Sequence, residues 1–179
     1  MKSLEQNLTQ YAAYHRDRRN LATHFVGIPM IVFAIVLALA TVWIPAGPMT
    51  VTLAACVSLV AALYYFRLDF RFGLAMALLL FAACAAASEI THRTGTAASL
   101  GIAATLFVVG WALQFLGHRY EGMKPAFYDD AKQLLIGPLF VLAEAVFLLG
   151  GRAPLRRYIE ERGGPTMARR DGRPLQGRA

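Results

Sequence analysis

The chain has 179 residues, of which 57% are hydrophobic and only 16% charged, and its mean hydropathy is +0.47. Ordinary soluble domains carry about 25% charged residues, so this composition points into lipid, and the length allows one domain. The net charge of +7 is uneven: eight Arg in residues 151–179 stand against Glu160, Glu161 and Asp171, leaving only +2 for the rest. No folded basic module accompanies that tail, which argues against nucleic-acid binding and for anionic headgroups on a cytoplasmic face.

Taken from the amino terminus, Leu4 to Tyr14 reads as an amphipathic helix in the membrane interface, with Leu4, Leu8 and Tyr11 on one face. The polar run Arg16-Asp17-Arg18-Arg19-Asn20 marks a break, with Asn20 the expected cap of the next helix. A cleavable signal peptide is not expected, because the first apolar run starts only near Phe25 and is too long for one. From Phe25 to Phe66 there is no Asp, Glu, Lys or Arg over 42 residues, enough for two spans. Ile44-Pro45-Ala46-Gly47-Pro48 divides them by a tight turn. Cys56 and Cys84 lie within apolar runs and read as small buried hydrophobes.

Further apolar runs cover about Phe72–Ser88, Ala98–Gly117 and Leu134–Leu149. None alternates as a barrel strand would, so the expected class is all-α. The last run is short and holds Pro138 and Glu144, whose carboxyl should face the bundle interior. The distribution of basic residues favours four spans with a bent or re-entrant fifth segment and both termini cytoplasmic, five full spans being the alternative. The expectation is therefore a single membrane-embedded helical domain over residues 1–150. Residues 151–179 are expected to form a basic, disordered tail.

All four histidines, His15, His24, His92 and His118, sit at the edges of apolar runs. Trp111, Gln114, His118 and Glu121 recur at three, four and three residues, a polar stripe on an otherwise apolar helix that must look inward. His118 with Glu121, or Glu89 with His92, has the Glu/His spacing that holds metals in helical bundles. His15 and His24 are nine residues apart, so they converge only if the helix turns a corner between them. His15, His24 and His118 then share one membrane face, with His92 on the other, which makes the first three the better metal trio. Imidazoles suit iron, zinc, copper or nickel alike.

Two stretches carry a resemblance. Tyr11-x3-His15-x4-Asn20-x3-His24-x2-Gly27-Ile28-Pro29 is similar to the opening motif of the fungal-type 2-hydroxy-palmitic acid dioxygenase family. Trp111-x2-Gln114-Phe115-x-Gly117-His118, with Glu121, Pro125-Ala126, Asp129, Gln133, Pro138-Leu139-Phe140 and Glu144, resembles its closing motif. The resemblance implies an Fe(II)-dependent membrane dioxygenase of fatty-acid α-oxidation, which uses O2 to shorten a long-chain 2-hydroxy fatty acid by one carbon. It implies metal ligation by His15, His24 and His118, with a counterpart for His92. On that reading the substrate contacts are Trp111, Gln114, Arg119, Glu121 and Lys124, with Arg119 and Lys124 beside the carboxylate. The membrane would be the inner membrane in a bacterium or the endoplasmic reticulum in a eukaryote. Two other functions compete: a haem-binding electron carrier, and a non-catalytic bundle that binds lipid or a partner.

Overall fold

The computed structural model describes residues 2–123 and 131–166. In chain order they form α1 (Leu4–Ala13), α2 (Arg18–Ala40), β1 (Trp43–Ala46), β2 (Met49–Thr52), α3 (Leu53–Leu68), α4 (Phe70–Glu121), α5 (Gln133–Leu148) and α6 (Ala153–Gly163). The all-α expectation is corrected at one place. The proline-containing turn between the first two apolar runs is an antiparallel hairpin, Trp43 facing Thr52 and Ala46 facing Met49. Gly47 at its tip takes φ +64, a conformation that suits glycine.

The chain groups into two compact units, Met1–Ile28 with Ala112–Ala179, and Pro29–Trp111. In the first, α1 opens with a capping box: Ser3 Oγ accepts from Gln6 N–H at 3.3 Å and Gln6 Oε1 accepts from Ser3 N–H at 3.0 Å. The apolar face of α1, formed by Leu4, Leu8, Tyr11 and Ala12, is buried against α5 and α6. Protein therefore covers the face expected to lie in the lipid interface. The partner on one side is α6, where a disordered tail was expected. Leu155 and Ile159 face inward there while its arginines stay in solvent. Residues 167–179 lie outside the described residues.

The second unit closes on small side chains. Ala40, Ala54, Ala87 and Ala103 join Val36 and Leu37 in one buried cluster, and Ser58 Oγ meets Cys84 Sγ at 3.3 Å. Small residues let helix backbones approach closely where no hydrophobic force drives them together. At Gly73 an added Cβ would stand 2.6 Å from the Phe66 Cα. Gly95, at φ 79 and ψ 169, is non-helical and divides α4 into residues 70–94 and 96–121.

Two helices, Arg18–Ala40 and Phe70–Glu121, are long and apolar enough to cross a membrane. A third candidate is the pair α5 and α6, bent by 116°. The bend lies in residues 149–152, beyond Pro138. Large apolar side chains stand outward, Val60 at 68%, Phe81 at 73% and Val108 at 66% exposure. A surface of this kind belongs in hydrocarbon. The apolar helices and this surface mark a membrane protein.

Candidate metal centre

The site is built around a corner. The first helix stops at Ala13 and the second starts at Arg18, so the chain turns over residues 14–17. Asp17, rather than Asn20, caps the second helix: its Oδ1 accepts the Arg19 N–H at 2.8 Å. The corner is needed because a straight helix would turn His15 and His24 to opposite sides. With it, their Nε2 atoms lie 3.0 Å apart.

The tautomers follow from local geometry. His15 Nδ1 lies 2.7 Å from the Tyr11 carbonyl oxygen, and His24 Nδ1 lies 2.9 Å from that of Asn20. A carbonyl only accepts, so both Nδ1 atoms carry the proton and both Nε2 atoms present lone pairs. Burial, reinforced by His24 and His118, holds the His15 pKa well below the ordinary value of 6.5. His118 completes the group, its ring centroid 4.9 Å from that of His15 and 5.1 Å from that of His24. One ligand atom from each of the three lies within 4.8 Å of the others, and all three rings are buried.

This donor set fits a metal ion. Ligating histidines commonly donate the second ring nitrogen to a backbone carbonyl, as His15 and His24 do here. Two nitrogens 3.0 Å apart subtend about 90° at an ion about 2.1 Å from each. Among the described residues, the buried His118 Nδ1 has no hydrogen-bond partner, leaving lone-pair or donor capacity for a ligand. Three neutral imidazoles do not choose among iron, zinc, copper and nickel.

Glu121 holds the corner in place. Its buried Oε2 accepts from Arg16 N–H at 3.1 Å, Asp17 N–H at 2.8 Å and Asn20 Nδ2 at 3.1 Å. A carboxylate there also meets the positive end of the second helix. One turn earlier, Gly117 permits the close approach: a Cβ would run into Thr23 Oγ1 and Asn20 Oδ1 and stand 3.2 Å from His24 Nδ1. On the other side Tyr11 stacks on His15, with centroids 4.1 Å apart and planes at 4°, and Phe140 backs both rings. Arg16 crosses beneath. Its Nε donates to the Ala12 carbonyl at 2.6 Å and its Nη1 to that of Gly164 at 2.7 Å, while Nη2 stands 3.8 Å from Glu144. Burial lowers the Arg16 pKa, and Glu144 and Glu121 oppose the shift.

Of the residues expected at the site, His15, His24 and His118 are brought together. His92 is not among them; it is exposed in the second unit, in a cleft with Trp43 and Glu89. Glu89 pairs instead with Arg93. Glu121 is fully buried against the corner backbone and is not among the converging metal-ligand atoms. Gln114 is buried one turn before His118, Arg119 is exposed, Trp111 belongs to the second unit, and Lys124 lies outside the described residues. Sequence reasoning passed over Arg16, Asp17 and Gln133 as site residues, although all three are buried here. Their signal was faint: charged or amide side chains within motifs that hold the histidines.

A buried three-histidine centre between apolar helices defines a candidate membrane metalloprotein. The model of the family 2-hydroxy-palmitic acid dioxygenase Mpo1-like matches residues 1–149, and the chain belongs to that family. It is 30% identical over 159 residues to the 2-hydroxy-palmitic acid dioxygenase MPO1 of Saccharomyces cerevisiae, covering 88% of this chain and 87% of that protein. No solved structure matches.

Proposed function

We propose that the protein is an iron(II)-dependent dioxygenase that converts a long-chain 2-hydroxy fatty acid to the fatty acid one carbon shorter. The observation that carries this reading is the convergence of three buried imidazoles, with the His15 and His24 Nε2 atoms 3.0 Å apart, in a chain of this family. His15, His24 and His118 would hold the iron, which supplies the activation of O2. The reaction balances without an external reductant: the 2-hydroxy acid and one O2 give the shortened acid, carbon dioxide and water. Tyr11 and Phe140 wall the imidazoles with aromatic surface and exclude water from that side. Apolar helices take the acyl chain, each buried CH2 contributing about 0.8 kcal/mol. In our topology four spans cross the membrane, with both termini and the three histidines at the cytoplasmic face.

The test is metal analysis of the purified wild type and the four single His→Ala variants, alongside O2 uptake on adding 2-hydroxypalmitate. About one iron per chain is expected in the wild type and in H92A, with loss in H15A, H24A and H118A. Mass spectrometry should find the fifteen-carbon acid. Iron-replete protein that leaves a range of 2-hydroxy acids unchanged would end the substrate assignment.

A further inference from the structure

We propose that Gln133 recognises the substrate's 2-hydroxyl group; this rests on the dioxygenase reading above. Gln133 is 1% exposed, yet among the described residues neither its Nε2 nor its Oε1 has a hydrogen-bond partner. A buried amide with both ends unmet is destabilising by itself and rare in folded proteins, so a partner from outside the chain is the economical explanation.

Its placement points to which partner. Gln133, Gly137, Phe140 and Glu144 follow one another at four, three and four residues, so they share a face of the fifth helix. Every later member of that face touches the histidine corner. A Cβ on Gly137 would be 3.0 Å from the Tyr11 hydroxyl, the Phe140 ring lies 5.8 Å from that of His15, and Glu144 meets Arg16. Gln133 is the polar member one turn beyond the Tyr11 hydroxyl. Gln114, one turn before His118, likewise has a buried Nε2 with no partner among the described residues.

The chemistry favours the hydroxyl over the carboxylate. A carboxylate only accepts and is met best by a cation. A hydroxyl both donates and accepts, which matches the Oε1 and Nε2 of one amide. A neutral amide also leaves the charge of the imidazole centre unaltered. Gln133 thus separates a 2-hydroxy acid from the plain fatty acid that the membrane holds in excess.

The experiment uses full-length protein loaded with iron(II) under argon, so that nothing turns over. Equilibrium binding of 2-hydroxypalmitate and of palmitate is compared in wild type, Q133M and Q133E. Wild type prefers the hydroxy acid; Q133M, nearly isosteric, loses that preference by about tenfold. Its iron content stays the same and its melting temperature without ligand stays level or rises, because no protein contact is lost. Q133E removes the donor and adds charge beside the carboxylate, so it binds both acids at least about tenfold more weakly. A preference kept in Q133M, or unchanged affinity in Q133E, overturns the proposal alone. A wild type that holds iron but does not prefer the hydroxy acid overturns the substrate reading and this inference together.

Discussion

At the scale of single residues, the arrangement of the three histidines depends on groups outside the trio. Glu121 gathers two backbone N–H groups and the Asn20 amide on one oxygen. Removing a shared buried acceptor leaves three donors unmet, each costing about 1–3 kcal/mol. E121A is therefore expected to lower the melting temperature sharply and to lose iron, with E121Q between it and wild type. H118A makes the contrast, losing iron while the metal-free melting temperature changes little. For G117A the obstacle is steric, since a methyl group meets Thr23 and Asn20; a loss of about 1–3 kcal/mol together with the metal is expected. Titration adds a pH test. The folded His15 pKa lies well below 6.5, so below that pH the unfolded chain takes up a proton that the folded one refuses. Stability of the metal-free protein is full above about pH 6.5 and falls as pH drops below it. Thermal melts from pH 8 to 5 should show this slope, and H15A should lessen it.

At the scale of elements, the first and sixth helices explain what the sequence could and could not reveal. Both are short and amphipathic, and such a stripe reads the same whether its partner is lipid or another helix. Each proves to be the other's partner, so the apolar face of the first meets protein, and the sixth is a packed helix within the stretch expected to be a loose tail. The corner between His15 and His24 was legible because two rings nine residues apart can converge only across one. Its cap was not, because Asp17 and Asn20 are equally good capping types and the choice depends on Glu121, more than 100 residues away. The convergence of the three histidines was legible in their placement at the edges of apolar runs; the burial of Gln133 and Arg16 was not, since it comes from long-range packing. Ile159→Ala, which empties the contact between these helices, should cost about 2–5 kcal/mol in a denaturation midpoint. G95A sets a control. No atom crowds that position, so its cost of about 1–3 kcal/mol is backbone strain alone and iron content should not change.

At the scale of the whole molecule, two properties coexist in one chain: apolar side chains turned outward and a dense polar cluster sealed in the first unit. The outward surface accounts for the composition, since hydrocarbon solvates Val60, Phe81 and Val108 as well as a protein core would. The sealed cluster holds the buried charges among the described residues, Arg16, Asp17 and Glu121, where other groups meet them. Membership of the family was readable from two short motifs at opposite ends of the chain, and the same two motifs supply the three imidazoles.

That division has a consequence for biogenesis. When the ribosome has made the opening helices, two imidazoles are present but their companion is nearly a hundred codons away. The strut that fixes their corner arrives later still, and the helix that closes over Arg16 comes last. The three buried imidazoles that face one another in the folded chain are therefore all present only once synthesis has passed residue 118.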